Sequence, residues 1–561
     1  MQEELKNYIL KDLKTLDYPE VDFVVELPKD ISNGDFSTNI SLLLSKELKK
    51  NPKEIADSLV ERWNKETISH VSKIEVAGPG FINFYLSKEY IQTQISKPLS
   101  QIKTQYTGQK IITEFTDPNT FKQFHIGHLM SNTIGESISR LFELGGAEVM
   151  RLCYTSDIGL PIAKAVWGMI QSKAGFPEDA DSIEDKIRFL GDSYTYGSNQ
   201  YEESGEAQIE IKEINKKLFE KSDQELQIYY DKGRKWSLEH FDTIYKKLGT
   251  EFKHFYFETE TAPIGKAIVE ANINNGIFEK SEESDAIIYK GEQDGLHTRV
   301  FINSQGLPTY EAKEIGLALE KVKLGNFDIS IVVTAQEQTE YFKVVLAVLK
   351  KLNPEIAAKT KHITHGMMQF ADGKMSSRKG NIVTANQLLG DIEKKVIEKI
   401  AEREYSEEEK KDIIHKVSIA ALKYSILRQT PGKNIIFDFE KSISFEGDSG
   451  PYIQYAYTRA QSVLSKAGDF DTKVQNLQDT FDIEKILIRF DSVIERAITD
   501  LAPQIVANYL IELSGEFNSW YTQEKILGDD NEAYKLLITD KFTQTIKTGL
   551  TALGIEVPEK M

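Results

Sequence analysis

The hydrophobic and polar positions of the first hundred or so residues predict a small α/β unit. Phe36 to Leu48 carry apolar residues at helical spacing, whereas Phe81 to Tyr85 alternate as the residues of a strand do. The turn-forming segment Val76 to Gly80 precedes that strand, and the polar stretch from Lys88 to Lys110 is typical of a linker. We therefore expect an N-terminal α/β module over residues 1–88.

From residue 111 onwards the pattern alternates between strands and helices. A strand from Ile111 to Phe115 leads through a loop into a helix from Gly127 to Leu144, and a second strand runs from Val149 to Tyr154. A strand, a helix and a strand in this order predict a βαβ unit and hence a parallel sheet. We expect a Rossmann-type catalytic domain over residues 108–395, with a helical insertion near residues 170–250.

The remaining segments extend this domain and then change character. Further strand patterns and two helices follow the insertion, at 285–289, 299–302, 329–333 and 362–368 for the strands and at 310–322 and 340–352 for the helices. Beyond residue 396 the pattern is almost wholly helical, and Ser406 with Glu409 forms a capping box at the start of one helix. The sequence thus predicts an all-α C-terminal bundle over residues 396–561.

Composition limits the classes of protein that need to be considered. The 561 residues are 40% hydrophobic and 28% charged, which is the balance of a globular chain. The net charge of −18, taken alone, argues against the binding of a polyanion. No apolar run is long enough to cross a bilayer, and the acidic start of the chain lacks a signal-peptide pattern. The single cysteine, Cys153, excludes a disulfide framework and a CxxC zinc site. We expect a cytoplasmic protein with no membrane partner and no structural metal.

The first stretch with chemical content runs from Asp117 to His128. It contains His125-Ile126-Gly127-His128 and lies where a strand ends and a helix begins, which is where parallel α/β sheets bind ligands. The amides at the start of a helix favour a phosphate, and Gly127 has no side chain to obstruct a nucleotide. Two histidines there can donate hydrogen bonds to phosphate oxygens.

The second stretch is the basic segment from Gly373 to Gly380. It holds Lys374, Met375, Ser376, Ser377 and Arg378, followed by Lys379. Cations and hydroxyls between two glycines suit a loop that closes over a triphosphate, where late contact would stabilise the transition state. On its own the segment is more typical of a solvated basic loop.

Together the two stretches resemble the HIGH and KMSKS motifs of class I aminoacyl-tRNA synthetases. The surrounding chain is similar to the arginine-specific family of that class, at Gly34 to Asn39, Val76 to Asn83, Phe445 to Ala456 and Leu553 to Met561. This resemblance implies the ATP-dependent ligation of L-arginine to the 3′ end of tRNA(Arg) through arginyl-adenylate. It implies ATP with Mg²⁺, tRNA and arginine as partners, and we expect the chain to act as a monomer.

The resemblance also implies roles for individual residues. His125, His128, Lys374 and Arg378 are expected to be catalytic, and ATP is expected to contact His125, Gly127, His128 and Lys374 through Ser377. For arginine the implied contacts are Asp117, Pro118, Asn119, His128, Glu258, Tyr310, Glu314 and Gln338. A guanidinium has five donors in a fixed plane, so carboxylates in bidentate geometry suit its recognition.

Three features depart from the family pattern. Position 314 is Glu where the family usually has Asp, and Ser377 stands at the second lysine of the KMSKS motif, so that Arg378 or Lys379 would supply that charge. The segment from Thr334 to Gln338 is one residue longer than in many relatives. These departures leave open how position 314 grips the guanidinium and whether Gln338 is the matching residue.

Three other readings remain at the level of the sequence. A class I synthetase for another amino acid would share both motifs, although a cysteine enzyme would want zinc ligands that this chain lacks. A small-molecule nucleotidylyltransferase shares the HIGH-like helix start but would not need a long helical bundle. A paralogue that binds tRNA without catalysis would keep the fold and lose turnover.

Overall fold

A computed structural model describes residues 1–28, 30–66, 68–99, 102, 104–172, 175–371, 383–472 and 480–561.

The N-terminal unit is an antiparallel sheet covered by helices. Its strands are β1 (Val25–Glu26), β2 (Phe36–Thr38), β3 (Val71–Ala77) and β4 (Phe81–Leu86), in the order β1-β2-β4-β3. Its helices are α1 (Gln2–Thr15), α2 (Ile40–Leu48), α3 (Pro52–Trp63) and α4 (Lys88–Ser96). The predicted strand at 81–85 is confirmed.

Two predictions for this unit are wrong. Residues 36–38 form a strand and not the start of a helix, because they pair with β4, where the Ser37 hydroxyl donates to the Asn83 side-chain oxygen over 2.8 Å. The expected linker begins with helix α4, because Ile91 and Ile95 lie one turn apart and are both buried.

The central domain is built on a five-stranded parallel sheet. Its strands are β5 (Lys110–Glu114), β6 (Glu148–Thr155), β7 (His254–Phe257), β11 (Ile329–Ala335) and β12 (Thr360–His365), in the order β12-β11-β5-β6-β7. Every pairing in it is parallel. Helix α5 (Ile126–Leu144) connects β5 to β6, so the predicted βαβ unit is confirmed.

The insertion between β6 and β7 is helical, as predicted. It contains α6 (Leu160–Gln171), α7 (Ile183–Glu203), α8 (Gly205–Glu220) and α9 (Gln224–Leu248). Helix α10 (Glu258–Ala271) follows β7 and leads to a small antiparallel sheet of β8 (Glu279–Lys280), β9 (Ile287–Tyr289) and β10 (Arg299–Ile302). Helices α11 (Tyr310–Val322), α12 (Thr339–Leu352) and α13 (Pro354–Lys359) complete this region.

The C-terminal part is a helical bundle with one strand that the sequence did not predict. Its helices are α14 (Ala385–Ile400), α15 (Glu407–Leu427), α16 (Phe439–Ser442), α17 (Gly450–Ala467), α18 (Asp482–Leu487), α19 (Phe490–Thr499), α20 (Gln504–Gln523) and α21 (Glu532–Ala552). The Ser406–Glu409 capping box at the start of α15 is confirmed. Strand β14 (Ile435–Phe437) pairs in parallel with β13 (Met368–Phe370) of the preceding region.

Helix α5 joins the sheet to the bundle. On its sheet side, Ser131 donates to the Val333 carbonyl oxygen of β11 over 2.9 Å. On its bundle side, Ser137 donates to the Ala552 carbonyl oxygen at the end of α21 over 3.0 Å. The helix is therefore buried between two domains. Among the helices of the described ranges, none is both long and apolar enough to span a membrane.

Candidate nucleotide and amino-acid site

The loop after β5 lies at the carboxyl edge of the parallel sheet and has a strained backbone. Thr116, Asp117 and Phe121 have φ values of 82°, 42° and 61°, in the left-handed region that non-glycine residues rarely adopt. Strain of this kind persists where surrounding contacts impose it, and such positions cluster at functional sites. The loop is therefore held in a defined shape at the edge where parallel sheets bind ligands.

Contacts with the end of β6 impose that shape. The Tyr154 amide donates to Asp117 Oδ1 over 2.8 Å, and the Ser156 amide donates to the Pro118 carbonyl oxygen over 3.2 Å. Asn119 and Ser156 form an isolated parallel bridge, so Asn119 is fixed beside the neighbouring strand end. The structure thus brings Asp117, Pro118 and Asn119 together at one edge of the sheet.

His125 and His128 cap the first turn of α5. His125 Nδ1 accepts from the Gly127 amide over 3.1 Å, and His128 Nδ1 accepts from the His125 amide over 3.3 Å. Their rings stack with centroids 3.7 Å apart and an angle of 18° between their planes. A Cβ on Gly127 would lie 3.0 Å from the His125 ring, so only glycine leaves this arrangement undisturbed.

The environment keeps both imidazoles uncharged at neutral pH. Burial, with the nearby Lys122 cation adding to it, lowers the pKa of His125 to about 4. Burial also sets the pKa of His128 well below its usual range, and His125 contributes to that shift. Because Nδ1 of each neutral ring accepts a backbone hydrogen bond, its proton lies on Nε2. The pair therefore offers two neutral N–H donors at the start of a helix.

The residues of the second predicted motif, Lys374, Met375, Ser376, Ser377 and Arg378, lie outside the described residues. At the start of α14, the Ala385 amide donates to the Phe124 carbonyl oxygen over 2.8 Å, and Thr384 forms an antiparallel bridge with His125. Thr384 and Ala385 therefore lie against the residues that start α5.

A pocket of carboxylates lies one strand further along the same edge. Glu258 is the first residue of α10 and is buried, with Oε2 accepting from Lys313 Nζ over 2.5 Å and from Ser156 Oγ over 3.0 Å. Burial raises the pKa of Glu258, and the Lys313 ammonium opposes that rise. Glu258 is thus a buried carboxylate that already has a cationic partner within the chain.

Glu314 is also buried, and it lies close enough to Glu258 for the charge of that carboxylate to raise its pKa. Burial, followed by the neighbouring Glu114 carboxylate, raises its pKa to about 8. Lys321, whose charge opposes that rise, forms an ion pair with Glu114, and the Tyr341 hydroxyl is hydrogen-bonded to the Glu314 carboxyl group. Glu314 is therefore mostly protonated at neutral pH.

The remaining two predicted contacts differ in their surroundings. Tyr310 is the first residue of α11, one turn before Glu314 as predicted, and is 48% exposed. Its ring lies 4.2 Å from Lys313 Nζ, and its carbonyl oxygen accepts from the Tyr341 hydroxyl over 3.2 Å. Gln338 is exposed in a 3₁₀ turn, 336–338, before α12.

Sequence reasoning missed the residues that hold the pocket together. Asp157 is fully buried and accepts from the Thr259 amide over 2.9 Å, which fixes the start of α10, while Arg234 pairs with it over 2.9 Å. Lys313 and Tyr341 were missed as well. The hydrogen-bond partners of the Asp157, Lys313 and Tyr341 side chains lie tens of residues away along the chain. One local signal was available, which is that Asp157 is an acidic residue just after the end of β6.

The parallel sheet, the histidine-capped helix and the ligand edge define a class I aminoacyl-tRNA synthetase core. Residues 91–439 match the family model described as tRNA synthetases class I (R), catalytic domain. Residues 3–86 match the arginyl tRNA synthetase N terminal domain, and residues 453–561 match the DALR anticodon binding domain. The chain belongs to the arginyl-tRNA synthetase family.

Named relatives and solved structures agree over the full length. The chain is 30% identical to an arginine–tRNA ligase of Flavobacterium psychrophilum, over 91% of this chain and 90% of that one. It is 28% identical to one of Clostridium botulinum, over 99% and 98%. The Thermus thermophilus arginyl-tRNA synthetase structure superposes with a TM-score of 0.84 at 23% identity, with each chain covered completely. The predicted family and fold class are confirmed.

Proposed function

We propose that this chain is an arginine–tRNA ligase that activates L-arginine with ATP and transfers it to the 3′ end of tRNA(Arg). The observation that carries the proposal is the proximity of two sites at one sheet edge. Neutral histidines offer donors at the start of α5, and the carboxylates Glu258 and Glu314 line a pocket beyond the next strand. The first suits a triphosphate, and the second suits a guanidinium.

In the first step the arginine carboxylate attacks the α-phosphate of ATP, which forms arginyl-adenylate and releases diphosphate. His125 and His128 donate from Nε2 to phosphate oxygens as negative charge develops. Lys374 and Arg378 neutralise the leaving diphosphate, with Gly127 and Met375 to Ser377 completing the ATP contacts. Mg²⁺ arrives with ATP, bound mainly by its phosphates.

In the second step the terminal adenosine of the tRNA accepts the arginyl group and AMP leaves. Asp117, Pro118 and Asn119 position the ammonium and carboxylate ends of arginine, together with His128. Glu258, Glu314, Tyr310 and Gln338 position its side chain. Both steps are mostly positioning and charge stabilisation, because neither the adenylyl nor the arginyl transfer passes through a covalent intermediate with the protein.

The three structural units divide the tRNA between them in this proposal. Residues 1–88 meet the corner of the tRNA, residues 108–395 hold its acceptor end, and residues 396–561 bind the anticodon. The enzyme works as a monomer in the cytoplasm. We also propose that bound tRNA is needed for activation, so that ATP–diphosphate exchange is weak without it; strong arginine-dependent exchange in RNA-free protein would contradict this.

The experiment that tests the function is the transfer of each of the twenty labelled amino acids to total tRNA, with ATP and Mg²⁺. We expect arginine alone to become acid-precipitable. Labelling by another amino acid would keep the class and overturn the reading of the carboxylate pocket. Binding of tRNA without any labelling would identify a non-catalytic paralogue.

A further inference from the structure

Lys313 places an ammonium inside the carboxylate pocket. Its side chain is 3% exposed, its Nζ lies 2.5 Å from Glu258 Oε2, and the ring of Tyr310 covers it at 4.2 Å. A Cβ built on Gly159, in the loop after β6, would lie 3.9 Å from the same nitrogen. The ammonium is therefore enclosed by α10, α11 and the loop after β6.

The two helices that hold this ion pair cannot easily separate. A Cβ on Gly265 of α10 would lie 1.8 Å from the Ala312 carbonyl oxygen of α11, and a Cβ on Gly316 would lie 2.4 Å from the Thr261 carbonyl oxygen. The backbones thus touch on both sides of Lys313. Close-packed interiors of this kind resist displacement, so a ligand meets Lys313 where the structure holds it.

We propose that Lys313 makes this pocket select a guanidinium over an ammonium, so that arginine is accepted and lysine is rejected. The inference rests on the proposed function, since it assigns the side chain of the amino-acid substrate to this pocket. A lysine ammonium is a compact point charge that would need the carboxylate oxygen that Lys313 already occupies. It would also have to lie beside a like charge in a poorly solvated place.

An arginine side chain meets the same pocket differently. Its guanidinium spreads one charge over a plane with five donors, is more weakly hydrated than an ammonium and stacks on aromatic rings. It can bond to Glu258 and Glu314 together and lie against Tyr310 without removing Lys313 from Glu258 Oε2. Lys313 therefore denies a lysine substrate its contact with Glu258 Oε2, whereas arginine can still contact Glu258, Glu314 and Tyr310.

The test compares arginine with lysine in Lys313→Met, which keeps the length of the side chain and removes its charge. We expect the ratio of the lysine Ki, measured as a competitor of arginine charging, to the arginine KM to fall by about tenfold or more. The matched control is Lys535→Met, which also removes a buried lysine from an ion pair, with Glu524 over 2.8 Å, but in the distant bundle. That variant should keep the ratio.

A second variant covers the case in which Lys313→Met does not fold. Lys313→Arg keeps the charge but puts a guanidinium where we expect the substrate's to lie, so the arginine KM should rise by about tenfold or more while kcat changes little. Calorimetric binding of arginine and lysine to both variants gives the same comparison without turnover.

The outcomes separate the inference from the proposed function. If the unaltered protein does not charge arginine, the proposed function fails. If it does, and Lys313→Met weakens arginine and lysine equally, Lys313 is only structural and the inference is overturned. An unchanged arginine KM in Lys313→Arg would overturn it too.

Discussion

Glu258 and Glu260 begin the same helix, yet their side chains point to different environments. Glu258 is buried beside Ser156 and Lys313, whereas Glu260 is exposed and its Oε2 accepts from the Phe257 amide over 3.2 Å. The pair therefore provides a variant and its control two residues apart on one helix.

We expect Glu258→Gln to weaken arginine binding by roughly 30-fold or more, because truncating one partner of a buried charge pair typically costs about 2 kcal/mol or more. ATP affinity should change little. The measurement is the Kd of each ligand, with melting temperature recorded alongside.

Glu260→Gln should leave arginine affinity unchanged, because the Glu260 carboxylate accepts from the Phe257 amide at the start of α10 and is exposed. We expect a loss of stability of about 0.5–1 kcal/mol at most. If Glu258→Gln reduced ATP affinity and spared arginine, the assignment of Glu258 to the substrate side chain would be wrong.

The proposed donor role of His125 Nε2 can be tested separately from the cap that Nδ1 forms on the Gly127 amide. Asparagine can replace Nδ1 with its side-chain oxygen and so keep the cap on Gly127, but it removes the donor at Nε2. His125→Asn should therefore lower kcat about 100-fold or more at saturating substrates, because a single preorganised donor typically contributes ~10²–10³.

His125→Gln offers the complementary comparison, since its amide nitrogen can reach the position of Nε2. We expect it to retain more activity than His125→Asn. Equal losses in both variants, or a lower melting temperature of His125→Asn, would indicate that the ring matters for the cap and not as a donor.

Arginine affinity should depend on pH through Glu314. Burial raises its pKa to about 8, so below that pH the pocket must lose a proton from Glu314 to present a carboxylate to the guanidinium. The arginine Kd should fall as pH rises from 6.5 towards 8 and then level off, with a slope of at most about tenfold per pH unit. Glu314→Gln should bind arginine weakly and lose this slope, and a slope that persisted in it would assign the titration to another group.

The free energy of unfolding should depend on pH through Lys423, a buried ammonium whose pKa is lowered. Its buried ammonium donates to the Leu248 and Gly554 carbonyl oxygens over 2.6 and 2.7 Å, and burial lowers its pKa to about 8 from 10.5. The unfolded chain therefore binds more protons between those values, so stability rises with pH across that window.

Denaturant unfolding of the full chain at pH 8 and pH 9.5 measures this rise, which should approach about 1–2 kcal/mol. Lys423→Met should abolish it. Lys416→Met is the matched control, because Lys416 is on the same helix but pairs with Asp412 at the surface. A rise that survived in Lys423→Met would show that Lys423 is not its source.

Strong local periodicity made part of this fold predictable. Helix α11 and strand β10 have the predicted bounds, 310–322 and 299–302, because their apolar positions and flanking turn residues agree with their burial. Strand β14 was missed because three residues carry little periodic information and their partner, β13, is 67 residues earlier, counting from Met368 to Ile435.

The candidate site also has a part that local sequence predicts and a part that it does not. His125, Gly127 and His128 are adjacent in sequence, so their arrangement at a helix start could be predicted from the motif alone. The ion pair of Glu258 with Lys313 joins residues 55 positions apart, and the protonated state of Glu314 depends on Glu114 from another strand. Neither follows from local pattern, because both are created by tertiary packing.

The burial of α5 between the sheet and the bundle has a practical consequence for protein engineering. Ser137 of this helix and Lys423 of the bundle both bond to main-chain oxygens between Ala552 and Gly554. A premature stop codon that removed only the last ten residues would take away these partners and uncover the helix whose first turn carries the two histidines.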